Sequence, residues 1–202
     1  IPDNLWGFNP DAGVKGGVEE AKRLLAEAGY PDGKGWPSGV SLHCNNIPDD
    51  SFGKGVAEAI VGMWKDNLGI DVQVEALEYQ ASEQWWQAQV DKNFHMFLLG
   101  WSVDYPDPYS FYSTCFDSFM ALYNHWKNPE YSQLVAKAAA APTRAEREEL
   151  YKQAALILED ELPHAPYLLR ANPVIYKTWI EGNWMDPVMG FAEFSNMVIK
   201  PH

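Results

Sequence analysis

The stretch that most constrains this chain is Phe97-Leu98-Leu99-Gly100-Trp101-Ser102-Val103-Asp104-Tyr105-Pro106-Asp107-Pro108. An apolar run too short for a helix stops at Gly100 and passes into a loop of one tryptophan, one tyrosine, two aspartates and two prolines. That is how a buried strand hands over to a binding loop. Met96 to Leu99 lack alternation, so both faces of the strand are expected to be covered, as in a parallel or mixed sheet inside an α/β layer. Ligands of such sheets sit at the carboxyl ends of the strands, where Asp104 falls.

At 202 residues the chain can bury one good core, and a single domain is expected. Hydrophobic residues at 47% and charged residues at 21% exclude a disordered chain. Nine Trp and ten Tyr are unusual: large aromatics fill cores, but such a surplus also fits a surface that binds something flat or partly apolar. A formal net charge of -13 with no Lys/Arg run argues against nucleic-acid and anionic-membrane partners. The same charge serves solubility and favours a cationic or zwitterionic small ligand. Cys44 and Cys115 lack metal-ligand spacing, and they pair only if the fold brings them close. No apolar run nears the ~20 residues of a membrane span, and Ile1 begins no signal peptide. The chain therefore reads as soluble, with any targeting segment outside it.

Residues 1–16 read as a lead-in arriving from elsewhere, since Ile1 to Gly13 are rich in Pro, Gly, Asn and Asp. Val18, Ala21, Leu24, Leu25 and Ala28 recur at helical spacing and stop at Gly29. Val40 to His43 is a short strand candidate, followed by a polar loop over Asn45 to Asp50. A helix is expected from about Phe52 to Leu68, with Val56, Ile60, Trp64 and Leu68 on one face. Ile70, Val72, Val74 and Ala76 then alternate with polar residues as a strand does. A third helix spans about Ser82 to Lys92, and this strand-helix-strand order is that of an α/β layer. Tyr109 to Tyr123 is aromatic and fits no period. Pro129 to Ala141 reads as a helix, and Thr143 with Glu146 opens another as a capping box. Leu150, Ala154, Ile157 and Leu158 would face inward, ending near Leu162. Pro166 to Leu169 and Val174 to Thr178 are further strand candidates.

Asp104, hemmed by Trp101, Tyr105 and Pro106, suits an ammonium group in a partly dry site, where charge-assisted hydrogen bonds are strongest. A turn-forming aspartate is the plainer alternative. Asp107 is expected to cap a short helix over Tyr109 to Tyr112. Trp85 and Trp86 point roughly 100° apart on a helix, so one of them is expected outside the core. His43, His95, His125 and His164 show no two-ligand spacing, so no metal or cofactor is expected. A glycosidase would need two carboxylates about 5 to 10 Å apart, roles open to Asp104 with Asp107 or Asp117. No phosphate loop, nucleophile elbow or catalytic triad stands out.

Four stretches together resemble the extracytoplasmic solute-binding proteins of oligopeptide and dipeptide ABC importers, family 5 type. They are Val18 to Gly33, Val56 to Val74 with Leu68-Gly69-Ile70, Gly100 to Pro108, and Glu148 to Pro166, in the family's order. The resemblance implies a single α/β lobe over residues 17–202. It would be the carboxy-terminal lobe of a class II clamshell, a mixed central sheet flanked by helices, with the amino-terminal lobe missing. It implies a non-enzymatic receptor at the periplasmic or extracellular face of a bacterial or archaeal membrane, which hands a peptide or other small solute to an ABC permease. Carried over, Asp104 binds the ligand's α-ammonium. Gly100 and Ser102 present backbone groups for strand addition, and Trp101 and Tyr79 line the pocket. Tyr105 joins them in the loop.

Two departures bear on the ligand. The loop Asn45-Asn46-Ile47-Pro48-Asp49-Asp50 has no basic residue for a ligand carboxylate, and Leu98 occupies the position where other relatives carry one. A longer peptide, an amine-bearing non-peptide and a sugar all stay open. In the sugar reading Trp101, Trp85 and Tyr105 stack on sugar faces. A carboxylate-dependent hydrolase is the rival from another class.

Overall fold

A computed structural model describes residues 5–9, 13, 16–46, 52–78, 95–169, 174–182 and 194–201. These fall into two units, one within 14–100 with 122–125, the other within 1–13, 101–121 and 126–202.

The first unit is a small α/β layer. Helix α1 (Val18–Glu27) is laced on its outer face by Lys22–Glu19 and Arg23–Glu20 ion pairs. It ends as expected, with Gly29 at φ +98° where a side chain would be strained. After a 3-10 turn at Pro31–Gly33, strand β1 (Ser41–Asn46), helix α2 (Phe52–Leu68) and strand β2 (Gln73–Glu78) form a parallel βαβ unit. Strand β3 (Met96–Phe97) pairs on the other side of β1, so the order is β2-β1-β3, all parallel. Leu42 pairs with Val74 and with Met96. These residues, with Cys44, Ala76 and Leu98, pack on Ala57, Ile60, Val61, Trp64 and Leu68. The buried stripe of α2 thus includes Ala57 and Val61 and leaves out Val56. Ser41 to Cys44 are all buried, whereas Met96 to Leu99 are half-buried. Burial on both faces belongs to β1, because β1 is the middle strand and β3 the edge of the described sheet.

The second unit is helical. The stretch 109–123, which fits no standard period, is largely a π-helix (Ser110–Met120); the chain continues as α3 (Ala121–Asn124), whose residues 122–124 belong to the first unit. The i→i+5 winding of the π-helix brings neither 3.6- nor 2-residue spacing to the sequence. Helix α4 (Pro129–Ala140) is capped by the Asn128 side chain, which accepts from Tyr131 N at 2.9 Å. Helix α5 (Arg144–Glu161) is capped by Thr143, which accepts from Glu146 N at 3.3 Å. The two helices meet through Tyr131, Val135, Ala138, Tyr151, Ala154 and Ala155. The Tyr112 ring stacks on Tyr151 at 4.6 Å, and Tyr131 Oη donates to the Tyr112 carbonyl at 2.7 Å. Leu5, within the lead-in, is buried in a neighbouring cluster with Val103, Phe111 and Cys115.

The tail departs from expectation. Pro166 to Leu169 and Val174 to Thr178 are not strands; the observed pair is β4 (Ile180–Glu181) antiparallel to β5 (Val198–Ile199). Neither run joins a ladder among the described residues, and Ile175 is 96% exposed. The helix expected over 82–92, with Trp85 and Trp86, and the loop residues 47–50 lie outside the described residues, as does Tyr79. No described helix is long and apolar enough to cross a membrane.

Candidate ligand-binding site

Exposure alternates along the loop after β3. Trp101 and Val103 turn inward, while Ser102 and Asp104 turn out. The Trp101 ring leans on Phe119 with centroids 5.1 Å apart and packs against the Leu5, Val103, Phe111 and Cys115 cluster. Its buried Nε1 has no hydrogen-bond partner among the described residues. Val103 is 4% exposed, so the loop is pinned on both sides of Ser102. Gly100 is exposed, and a Cβ there would meet nothing within 4 Å, so no neighbouring atom requires a glycine. Its openness leaves room for another backbone to approach.

The backbone around Asp104 is closely bonded, but its carboxylate is not. Asp104 N donates to Ser110 Oγ at 3.1 Å. Asp107 N donates to the Tyr105 carbonyl at 2.7 Å, and Ser110 N donates to the Asp107 carbonyl at 3.0 Å. Asp107 Oδ1 accepts from Tyr109 N at 2.9 Å, just ahead of the π-helix; the short helix expected over Tyr109 to Tyr112 is instead the start of this longer one, which has Tyr109 at its N-cap and no side-chain cap bond. Among the described residues nothing donates to the Asp104 carboxylate, which is exposed. Tyr105 beside it is 40% exposed.

Sequence reasoning missed Arg147. Its guanidinium forms a fork on Asp107, Nη1 to Oδ2 at 2.9 Å and Nη2 to Oδ1 at 2.6 Å, and Nη2 also donates to Tyr151 Oη at 3.2 Å. The Asp107 hydrogen bond holds the guanidinium pKa above its ordinary value. Trp6 lies under both Arg147 and Arg144, at 4.7 and 4.9 Å from the ring centroid. One signal was available: Arg144 and Arg147 sit at the amino end of α5, where the helix dipole disfavours cations. A cation there calls for a carboxylate or an aromatic face.

Asp117, another hydrolase candidate, accepts from Ser132 Oγ at 2.6 Å. Asp107 and Asp117 are thus both held in structural bonds. His43 and His95 share the Ser41 hydroxyl at 2.7 and 3.3 Å, and His164 stacks on Phe116 at 4.3 Å. Cys44 and Cys115 are buried free thiols, and burial pushes the Cys115 pKa up to about 12.

The model of the bacterial extracellular solute-binding proteins, family 5 (middle), matches residues 1–121, more than half of the chain. The chain belongs to this family. Among family 5 relatives, the oligopeptide-binding protein OppA of Bacillus subtilis is 30% identical over 203 residues, covering 98% of this chain and 35% of OppA. The solved Escherichia coli murein tripeptide-binding protein MppA superposes with a TM-score of 0.75 at 26% identity, over 100% of this chain and 39% of MppA. Haemophilus influenzae OppA, solved in complex with the peptide RPPGFSPFR, gives a TM-score of 0.68 at 27% identity, over 90% of this chain and 34% of that one. The fold is therefore the α/β fold of family 5 periplasmic binding proteins. The chain spans about a third of the length of these relatives.

Proposed function

We propose that residues 17–202 serve as one lobe of an extracytoplasmic receptor that captures a peptide or other amine-bearing solute and delivers it to an ABC permease. The other lobe would come from the part of the relatives that this chain does not match. Asp104 anchors the solute's ammonium group. Gly100 and Ser102 offer backbone to an extended ligand with Tyr105 beside Asp104, and Trp101 and Tyr79 are pocket residues on the family resemblance alone. The observation that carries the reading is the contrast within one loop: its backbone, the Ser110 hydroxyl and the Asp107 carboxylate are all hydrogen-bonded, while the Asp104 carboxylate is exposed without a donor among the described residues. The lobe is read as non-enzymatic, with binding free energy directed into domain closure. Asp107 and Asp117 already have partners, which weighs against the hydrolase.

The first experiment is native mass spectrometry of the whole protein as purified, with release and identification of what it retained. Peptides with free amino termini are expected; a single sugar or metal chelate would overturn the ligand assignment. In the same protein Asp104→Asn is expected to weaken an amine-bearing ligand by about 1.5 to 3 kcal/mol. An unchanged dissociation constant by calorimetry removes Asp104 from the site.

A further inference from the structure

The turn 104–110 is held mainly by bonds between near neighbours, each worth little against water. Arg147 is different in kind. It reaches Asp107 from α5, forty positions along the chain, and the pair is largely shielded, with side-chain exposures of 22% and 26%. A two-point charge-assisted fork of this kind is stronger and more directional than a neutral bond. The guanidinium is held in place by the Trp6 and Tyr151 rings and by Tyr151 Oη. From Asp107 the linkage is short: its carboxylate and carbonyl bind Tyr109 N and Ser110 N, and Ser110 Oγ in turn binds Asp104 N.

We propose that Arg147, through its fork on Asp107, is a positioning residue for ligand recognition by Asp104. The inference rests on the reading of Asp104 as the amine anchor. The fork has two effects. It fixes the turn whose Ser110 hydroxyl holds the Asp104 backbone. It also matches the charge of Asp107, leaving Asp104 as the carboxylate of this loop that an incoming ammonium meets. Lysine cannot reproduce this geometry, because a point charge does not span both carboxylate oxygens.

The test is a double-mutant cycle on the whole protein, read by calorimetry with the peptide RPPGFSPFR and its N-acetylated form. Arg147→Lys is expected to weaken the free-amine peptide about tenfold and leave the acetylated one unchanged. In an Asp104→Asn background it should change neither, because its influence passes through Asp104. A general loss of stability would weaken both peptides alike. Should Arg147→Lys fail to fold, Asp107→Asn makes the same test, since it keeps the Oδ1 acceptor for Tyr109 N and loses the charge that the fork matches. Affinity within twofold of wild type in both variants overturns the proposal, as do equal losses for the two peptides or fully additive losses in the cycle. Wild-type protein that binds neither peptide overturns the peptide reading, Asp104→Asn that binds both as wild type does overturns the Asp104 assignment, and either result takes this proposal with it.

Discussion

His164 shows how one side chain converts burial into pH dependence. Its ring stacks on Phe116 at 4.3 Å, and its buried Nδ1 has no partner among the described residues. Burial disfavours the imidazolium and lowers the pKa from 6.5 to about 4. The folded chain therefore keeps His164 neutral at pH values where the unfolded chain protonates it. Its stabilising share is complete above pH 6.5 and is lost as pH falls from 6.5 towards 4. Over that window the loss should reach roughly 3 kcal/mol. Phenylalanine keeps the stack and removes the titration, so urea unfolding of His164→Phe should fall away less steeply below pH 6.5 than wild type. Parallel curves for the two proteins would show that His164 is as well solvated as in the unfolded chain.

Between elements, the Pro31–Gly33 turn and the end of α2 approach each other closely through their backbones. A Cβ on Gly33, at φ +74°, would overlap the Gly69 carbonyl, and one on Gly69 would lie 2.7 Å from the Asp32 carbonyl. Gly33→Ala is expected to cost about 2 to 4 kcal/mol, because strain and overlap add. Gly35, at φ +82° with nothing near its Cβ position, is the control. Gly35→Ala should cost about 1 to 2 kcal/mol from strain alone. Equal losses in equilibrium urea unfolding would show that the turn moves aside at no cost. Such elements were legible where the information is local. Gly29, Asn128-Pro129 and Thr143 end or begin helices within a few residues of their signals, and the bounds of α2 fell where its apolar spacing put them. Reading failed where the decisive partner is distant. Val174 to Thr178 has β propensity but joins no ladder among the described residues, and Leu5 and Trp6 join the core despite polar, turn-rich surroundings. The π-helix was unreadable for another reason, since its winding matches neither standard period.

At the scale of the whole molecule, the loop delivering Asp104 was legible because a short apolar run, a glycine and a Pro-rich turn are contiguous. What steadies that loop was not, because Arg147 and Asp107 meet only in the folded chain. The same limit applies to the ligand's far end: no basic residue marks a carboxylate site in 45–50 or at Leu98, so that contact has to come from elsewhere. This chain spans about a third of the length of its relatives, and the proposed receptor closes over its solute from two sides. Enclosed sites bury most of a ligand's surface, whereas one open face leaves half of it in water. The 202-residue chain alone should therefore bind RPPGFSPFR at least about a hundredfold more weakly than the whole protein, roughly 3 kcal/mol. Calorimetry on both decides it. Equal affinities would mean that this chain supplies the whole site, and the reading of one lobe of a clamshell would have to be abandoned.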